Sequence, residues 1–217
     1  MKIFVTGSSK GIGLAVTKKF LREGHVVFGV DLLFAQIENE NYTHFCADVS
    51  KPETLPDLDG IEILINNAGV QSDSIEEINV NLLGVINTTK KFALQPKIKS
   101  VLNIASASAH NGAEFPYYSA SKGGVLAYTK HIALEIAKFG ATCNSISPGG
   151  VTTDLNAPVM NDPQKWNEIM DETLLRKWAS PEEIAEWVYF VCVINKSMTA
   201  QDILIDNGEI ARAKFVW

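Results

Sequence analysis

The feature that most constrains this chain is a regular alternation of short, β-branched or apolar runs with longer amphipathic stretches. Lys2–Thr6, His25–Val30, Thr43–Ala47, Ile61–Ile65, Ser100–Ala105, Ala141–Ser147 and Asp202–Asp206 read as strands. Helical periods occupy 11–23, 74–93, 117–138 and 181–194, with a weaker one at 163–172. Strand then helix, repeated, predicts an α/β fold: a doubly wound, parallel, seven-stranded sheet with helices on both faces. No internal repeat, low-complexity tract or long Pro/Gly/Ser linker divides the chain, so residues 1–217 are expected to form one domain.

Composition excludes several classes. The formal net charge is -6, a poor balance for a reader of phosphate backbones, so neither nucleic acid nor an anionic membrane is an expected partner. The longest apolar run, Trp187–Ile194, has eight residues, against the roughly 18 of a spanning helix. The start of the chain has no signal-peptide pattern, and the expected compartment is the cytoplasm. Cys46, Cys143 and Cys192 lie apart in apolar segments and read as small buried hydrophobes. His25, His44, His110 and His131 lack metal-ligand spacing, so no metal is expected. Ile75–Leu94 carries more apolar positions than one helix face can hold. A second buried face is expected there, either against another subunit or within a monomer.

The chemistry starts at Thr6-Gly7-Ser8-Ser9-Lys10-Gly11-Ile12-Gly13, which joins the first strand to a helix. Glycines let backbone approach a pyrophosphate, and the helix N-terminus presents free N–H groups to it. The second strand ends at Asp31, eighteen residues past Gly13, where dinucleotide sites place an acid on the adenosine ribose. Asp31 could equally serve only to open the following turn. Tyr118 is followed by Lys122 at i+4, an arrangement none of the other four tyrosines has. The two share a helix face, and an ammonium beside a phenol, together with an oxidised nicotinamide, is expected to lower its pKa. Tyr118 is therefore the expected proton donor or acceptor.

In chain order, TGSSKGIG, Cys46-Ala47-Asp48-Val49, Asn66-Asn67-Ala68-Gly69, Asn81-x-x-Gly84, Ile104-Ala105-Ser106, Tyr118-Ser119-Ala120-Ser121-Lys122, Pro148-Gly149 and Pro181-Glu182-Glu183-Ile184-Ala185 resemble the short-chain dehydrogenase/reductase family. The resemblance covers essentially the whole chain. It implies an oxidoreductase that moves a hydride between a nicotinamide cofactor and a secondary alcohol or carbonyl substrate. Ser106 would hold the substrate oxygen, Lys122 would contact the nicotinamide ribose, and Asn81 would order a water for proton relay. The cofactor residues it implies are Gly7, Ser9, Lys10, Gly11 and Ile12 toward the pyrophosphate and Asp31 at the adenosine ribose. Asp48 and Val49 fall around the adenine, and Asn67, Ala68 and Gly69 along the dinucleotide. Pro148, Gly149, Val151 and Thr153 border the nicotinamide. Lys10 would welcome a 2'-phosphate, but a carboxylate at Asp31 repels it, so NAD is expected over NADP.

The chain departs from the family in two short loops. Asp31 to Asp48 spans 17 positions and Gly69 to Asn81 only 12, which leaves Asn79 as a rival to Asn81. The tail ends in Phe215-Val216-Trp217, an apolar finish expected to pack on the domain or a partner. Residues 154–178 correspond to a substrate lid with a net charge of -2, a poor dock for an acidic acyl carrier protein. His110, Asn111, Tyr117, Met160 and Trp166 are candidate substrate contacts. A homodimer or homotetramer is expected. Three alternatives stay open: a 3-oxoacyl-(acyl carrier protein) reductase using NADPH, a non-catalytic dinucleotide sensor, and a nucleotide-sugar epimerase or dehydratase.

Overall fold

A computed structural model describes residues 1–112 and 115–211. Seven parallel strands form one sheet: β1 (Lys2–Thr6), β2 (Val26–Asp31), β3 (Tyr42–Cys46), β4 (Ile63–Asn66), β5 (Ser100–Ile104), β6 (Thr142–Pro148) and β7 (Asp202–Ile205). Their order across the sheet is β3-β2-β1-β4-β5-β6-β7. Among the described residues the seven α-helices are α1 (Gly11–Arg22), α2 (Gly84–Phe92), α3 (Ser108–Asn111), α4 (Pro116–Ile136), α5 (Ala157–Met160), α6 (Pro163–Glu172) and α7 (Pro181–Tyr189).

Strand alternation sorts the core into two layers. Ile3, Val5, Ile63, Ile65 and Leu102 face α1 and α7, packing with Val16, Phe20, Ile184 and Val188. Phe4, Leu64 and Val101, one residue out of phase, face Phe92 of α2 and Ile132 and Ile136 of α4. Both faces are buried, so the central strands read as unbroken apolar runs. One polar ladder interrupts the second layer. Asn66 and Asn103 are register partners on β4 and β5; Asn66 Nδ2 donates to Asn103 Oδ1 at 2.8 Å, and Asn103 Nδ2 to Thr129 of α4 at 2.8 Å. Thr88 of α2 donates to Asn66 Oδ1 at 2.6 Å. A satisfied buried network of this kind fixes how α2 and α4 sit on the sheet.

Two expected helices differ in detail. The segment expected as one helix over 74–93 is π-helical at Ile78–Leu83 before α2 begins, and the 181–194 segment turns π-helical at Phe190–Ile194. A π turn inserts a residue into the i→i−4 ladder and re-aims the side chains around it. α7 starts where a capping box predicts: Ser180 Oγ accepts from Glu183 N and Ser180 N donates to Glu183. Cys46 corrects an expectation, being exposed at the end of the outermost strand, whereas Cys143 and Cys192 are buried and burial pushes both thiols up. Ile75, Leu83 and Leu94 are exposed in the single chain. Phe215, Val216 and Trp217 lie outside the described residues. Among the described residues, no helix is long and apolar enough to cross a membrane.

Candidate active site

Strand order reverses between β1 and β4, so their connections leave in opposite directions and a crevice opens at the carboxyl ends of the strands. A cavity of 640 Å³ occupies it. Its walls include Gly7, Lys10, Gly11, Ile12, Asp31, Asp48, Val49, Asn67, Ala68, Gly69, Ser106, Tyr118, Lys122, Pro148, Gly149, Val151 and Thr153.

The middle of the cleft is built for close backbone approach. Gly7 has φ +68°, and a Cβ there would stand 2.7 Å from Asn67 Nδ2 and 2.9 Å from Ala68 Cα. Thr6 Oγ1 accepts from both Asn67 N and Ala68 N at 2.9 Å, locking the two turns together. No side chain caps α1, so its first N–H groups are available to an anion.

At one end, Asp31 closes a ring of hydrogen bonds. Its Oδ2 accepts from Ser9 N and its Oδ1 from Leu33 N, both at 2.9 Å. Leu33 O accepts from His44 Nε2 at 2.9 Å; His44 Nδ1 lies 2.9 Å from the Tyr42 hydroxyl, which is 3.1 Å from Ser8 Oγ. The ring ties the glycine turn to the end of β2. Gly29 makes room for it, since a Cβ there would meet Tyr42 and Ser8.

At the other end stand Ser106, Tyr118 and Lys122. Ser106 follows β5, held by Ala105 N to Ile146 O and Ala107 N to Pro148 O, and Ser108 N donates to its Oγ at 3.2 Å. Tyr118 and Lys122 share a face of α4. Lys122 is buried, with Nζ donating to Ile104 O at 2.8 Å and lying 5.6 Å from the Tyr118 ring centroid. Burial brings its pKa down to about 8. Tyr118 is raised above the usual phenol value, chiefly by burial, with a hydrogen bond to Ser106 opposing and the charge of Glu77 adding to the rise. Lys122 by itself does not lower the Tyr118 pKa; the expected lowering rests also on an oxidised nicotinamide. The ammonium donates its hydrogen bond to the Ile104 carbonyl, and desolvation is the leading influence on Tyr118.

Asn81, not Asn79, occupies the inner position. Asn81 is buried; Val70 N donates to its Oδ1 at 2.8 Å, and its Nδ2 donates to Val70 O at 2.9 Å and Ser121 Oγ at 3.2 Å. Asn79 lines the cleft. Gly69 lets Asn81 Oδ1 and Lys122 Nζ approach, at 3.2 and 3.6 Å from where its Cβ would be.

The candidate substrate contacts are not brought together. His110 Nε2 pairs with Asp202 Oδ2 at 2.8 Å, which draws it toward β7. Tyr117 is exposed, and it and Asn111, Met160 and Trp166 are absent from the cleft wall. Trp166 instead packs edge-on against Trp178, with ring centroids 5.0 Å apart. Their place at the rim and in the lid segment had suggested them, but neither says which way a short helix is turned. Segment 152–178 is pinned at both ends, by a bridge between Val151 and Ala179 and by Thr152 N to Ala179 O. Its Asp154, Leu155 and Asn156 reach the cleft. Sequence reasoning missed these three, Leu32 and Leu33 beside Asp31, and Glu77. The alternating Tyr42 and His44 on β3 were the one available signal for the hydrogen-bonded ring. Among the described residues, no group of three His, Cys, Asp or Glu is arranged to hold a metal.

The crevice is long, carries a carboxylate at one end, a glycine turn with free helix N–H groups in the middle and a phenol–amine pair at the other. These residues fit a dinucleotide. The comparisons agree with that geometry. Residues 1–164 match the short chain dehydrogenase family. A 3-oxoacyl-(acyl-carrier-protein) reductase of Chlamydia pneumoniae is 30% identical, covering 95% of this chain and 96% of the relative. The aldohexose dehydrogenase of Thermoplasma acidophilum, solved in ligand-free form, superposes with a TM-score of 0.86 at 28% identity, covering 100% of this chain and 96% of that one. A 4-hydroxyisoleucine dehydrogenase mutant complexed with NADH and succinate superposes with a TM-score of 0.90 at 25% identity, covering 99% and 100%. The chain therefore belongs to the short-chain dehydrogenase family and is an NAD(P)-dependent oxidoreductase acting on alcohol or carbonyl groups.

Proposed function

We propose that this chain is an NAD-dependent dehydrogenase of a small secondary alcohol, or reductase of the matching carbonyl, with Tyr118 as its general acid/base. The observation that carries this reading is the convergence of Ser106, Tyr118 and Lys122 on the cleft that also holds Asp31 and the glycine turn. A bound nicotinamide supplies or accepts the hydride. Ser106 donates a hydrogen bond to the substrate oxygen as charge develops on it. Tyr118 takes the hydroxyl proton in oxidation and returns it in reduction. Lys122 holds the nicotinamide ribose and, with Asn81, connects Tyr118 to solvent through ordered water. Gly7, Ser9, Lys10, Gly11 and Ile12 hold the phosphates, and Pro148, Gly149, Val151 and Thr153 border the nicotinamide.

NAD is favoured because both Asp31 oxygens are fixed in place by backbone N–H groups, so an extra phosphate at the ribose would meet an anchored negative charge. Lys10 on the same wall is the one opposing feature. The whole chain acts as one dinucleotide-binding unit, with segment 154–178 as a lid that excludes water. Exposed Ile75, Leu83 and Leu94 suit a homodimer or homotetramer, and three free cysteines suit the cytoplasm.

The test is loss of nicotinamide absorbance against small ketones, aldehydes, keto acids and acyl thioesters, with NADH and NADPH run side by side. Turnover with NADH on a small carbonyl supports the reading. Preference for NADPH and acyl thioesters would replace it with a 3-oxoacyl-(acyl carrier protein) reductase, and tight NADH binding with no turnover would replace it with a sensor.

A further inference from the structure

Past β6 the chain runs through Gly149-Gly150 into the lid, and other segments press closely on both glycines. A Cβ at Gly149 would stand 2.6 Å from Glu209 Oε2 and 2.8 Å from Asp206 Cβ, and one at Gly150 would overlap the Trp178 indole. Glycine is the residue that admits such neighbours. Gly149 N donates to Ile205 O at 3.0 Å, Gly150 N to Glu209 Oε2 at 3.2 Å, and Ala179 N to Gly150 O at 3.2 Å. Because a peptide unit is planar, holding Gly150 N–H also sets the direction of the Gly149 carbonyl. Pro148, Gly149 and Val151 are residues of the cleft wall.

Glu209 is delivered by a turn with its own fastening. Asp206, buried just past β7, accepts from Gly208 N with Oδ1 and from Ile210 N with Oδ2, both at 2.9 Å, and Glu209 N donates to Asp206 O at 3.0 Å. Asp206 thus serves the N–H groups of the turn, while Glu209 reaches across to Gly150. The same turn holds the end of the lid: Leu175 N donates to Asn207 O at 3.1 Å, and Leu174 lies over Gly208, 2.6 Å from where its Cβ would be.

We propose, building on the dinucleotide reading above, that Glu209 is a positioning residue for the nicotinamide. By accepting from Gly150 N it sets the Gly149–Gly150 peptide, and with it the wall from Pro148 to Val151 that borders the ring. Glu209 is not itself part of the cleft wall and acts through this peptide. The adenosine end is fixed separately, by the ring of hydrogen bonds around Asp31.

Two ligands distinguish the two ends: NADH, and ADP-ribose, which lacks the nicotinamide. NADH binding is followed by fluorescence and ADP-ribose binding by calorimetry, so neither readout needs turnover. Glu209→Ala should raise the Kd for NADH about tenfold, the worth of a hydrogen bond to a charged acceptor, and leave that for ADP-ribose within about twofold. Glu209→Gln keeps an acceptor for Gly150 N and should bind both ligands within about twofold of the parent. Glu209→Asp keeps the charge but is one methylene too short; it should follow Glu209→Ala and replaces it if the alanine variant does not fold. General loosening of the cleft would weaken both ligands together. That outcome, an unchanged NADH affinity in Glu209→Ala and Glu209→Asp, or a Glu209→Gln variant as weak as Glu209→Ala, would overturn the proposal. A parent that binds neither ligand would refute the dinucleotide reading itself, a result separate from any difference among the variants.

Discussion

The two ends of the cleft are made of different material. At the Asp31 end, a surface-proximal carboxylate has both oxygens occupied by backbone N–H groups, and Leu33, His44, Tyr42 and Ser8 complete a ring in which each polar group has a partner. At the Tyr118 end, three ionisable groups, Lys122 and Glu77 buried and Tyr118 half-buried, have less support: Lys122 has one carbonyl, Tyr118 one hydroxyl and Glu77 an orphaned oxygen. A satisfied ring holds a fixed shape, which suits recognition. Lys122 and Tyr118 have displaced proton affinities, which suits proton transfer and costs stability. The difference separates binding from chemistry along one crevice.

Substitutions test that separation. Lys122→Met should lower kcat by about a hundredfold or more, because the ribose contact and the proton path go together. It should also remove a stability gradient. With a folded pKa of about 8 against an ordinary value of 10.5, the unfolded chain holds a proton that the folded chain has lost throughout that window. Stability from this group therefore rises with pH between those values, and its cost is fully present below pH 8. Denaturant melts of parent and variant should show the parent gaining on the order of 3 kcal/mol relative to the variant across the window. Ser106→Ala should lower kcat about a hundredfold and move the pH profile toward alkali, since the Ser106 hydrogen bond is the one influence lowering the Tyr118 pKa. NADH affinity, measured by fluorescence titration, should stay within about twofold of the parent if binding and chemistry are separate.

Changes at the other end should be smaller and of the opposite kind. Asp31→Ala should move the NADH-to-NADPH ratio of kcat/KM toward NADPH by about tenfold or more while sparing kcat. Tyr42→Phe opens the ring without touching the cleft wall, and should raise KM for NADH by about fivefold, the worth of one hydrogen bond. A fall in kcat in either variant would break the comparison.

Much of this was legible in the sequence, for identifiable reasons. All seven strands lie within two residues of their expected positions because the buried runs are bounded by glycine, acidic or amphipathic segments. Gly7, Asp31, Tyr118 and Lys122 line the cleft as strand ends and i, i+4 spacing suggested, and Ser106 as the family resemblance implied. Glu77 was hidden because Glu76-Glu77 reads as a solvated pair; only the shortness of the loop turns one of them inward. The π turn that carries Asn81 has no period distinct from an α-helix over six residues. His110 resembled a rim residue until Asp202, ninety-two positions away, was seen to hold it. Contacts of that range are set by packing, which no local pattern reports.

The most direct test of the central claim is single-turnover oxidation of bound NADH by a carbonyl substrate, with NADH affinity measured in parallel, for the parent and Tyr118→Phe. The account predicts that Tyr118→Phe loses about a thousandfold in rate and binds NADH as the parent does. A variant that retains most of its rate, or loses it only through weakened NADH binding, would contradict Tyr118 as the proton-transfer group and the division of the cleft built on it.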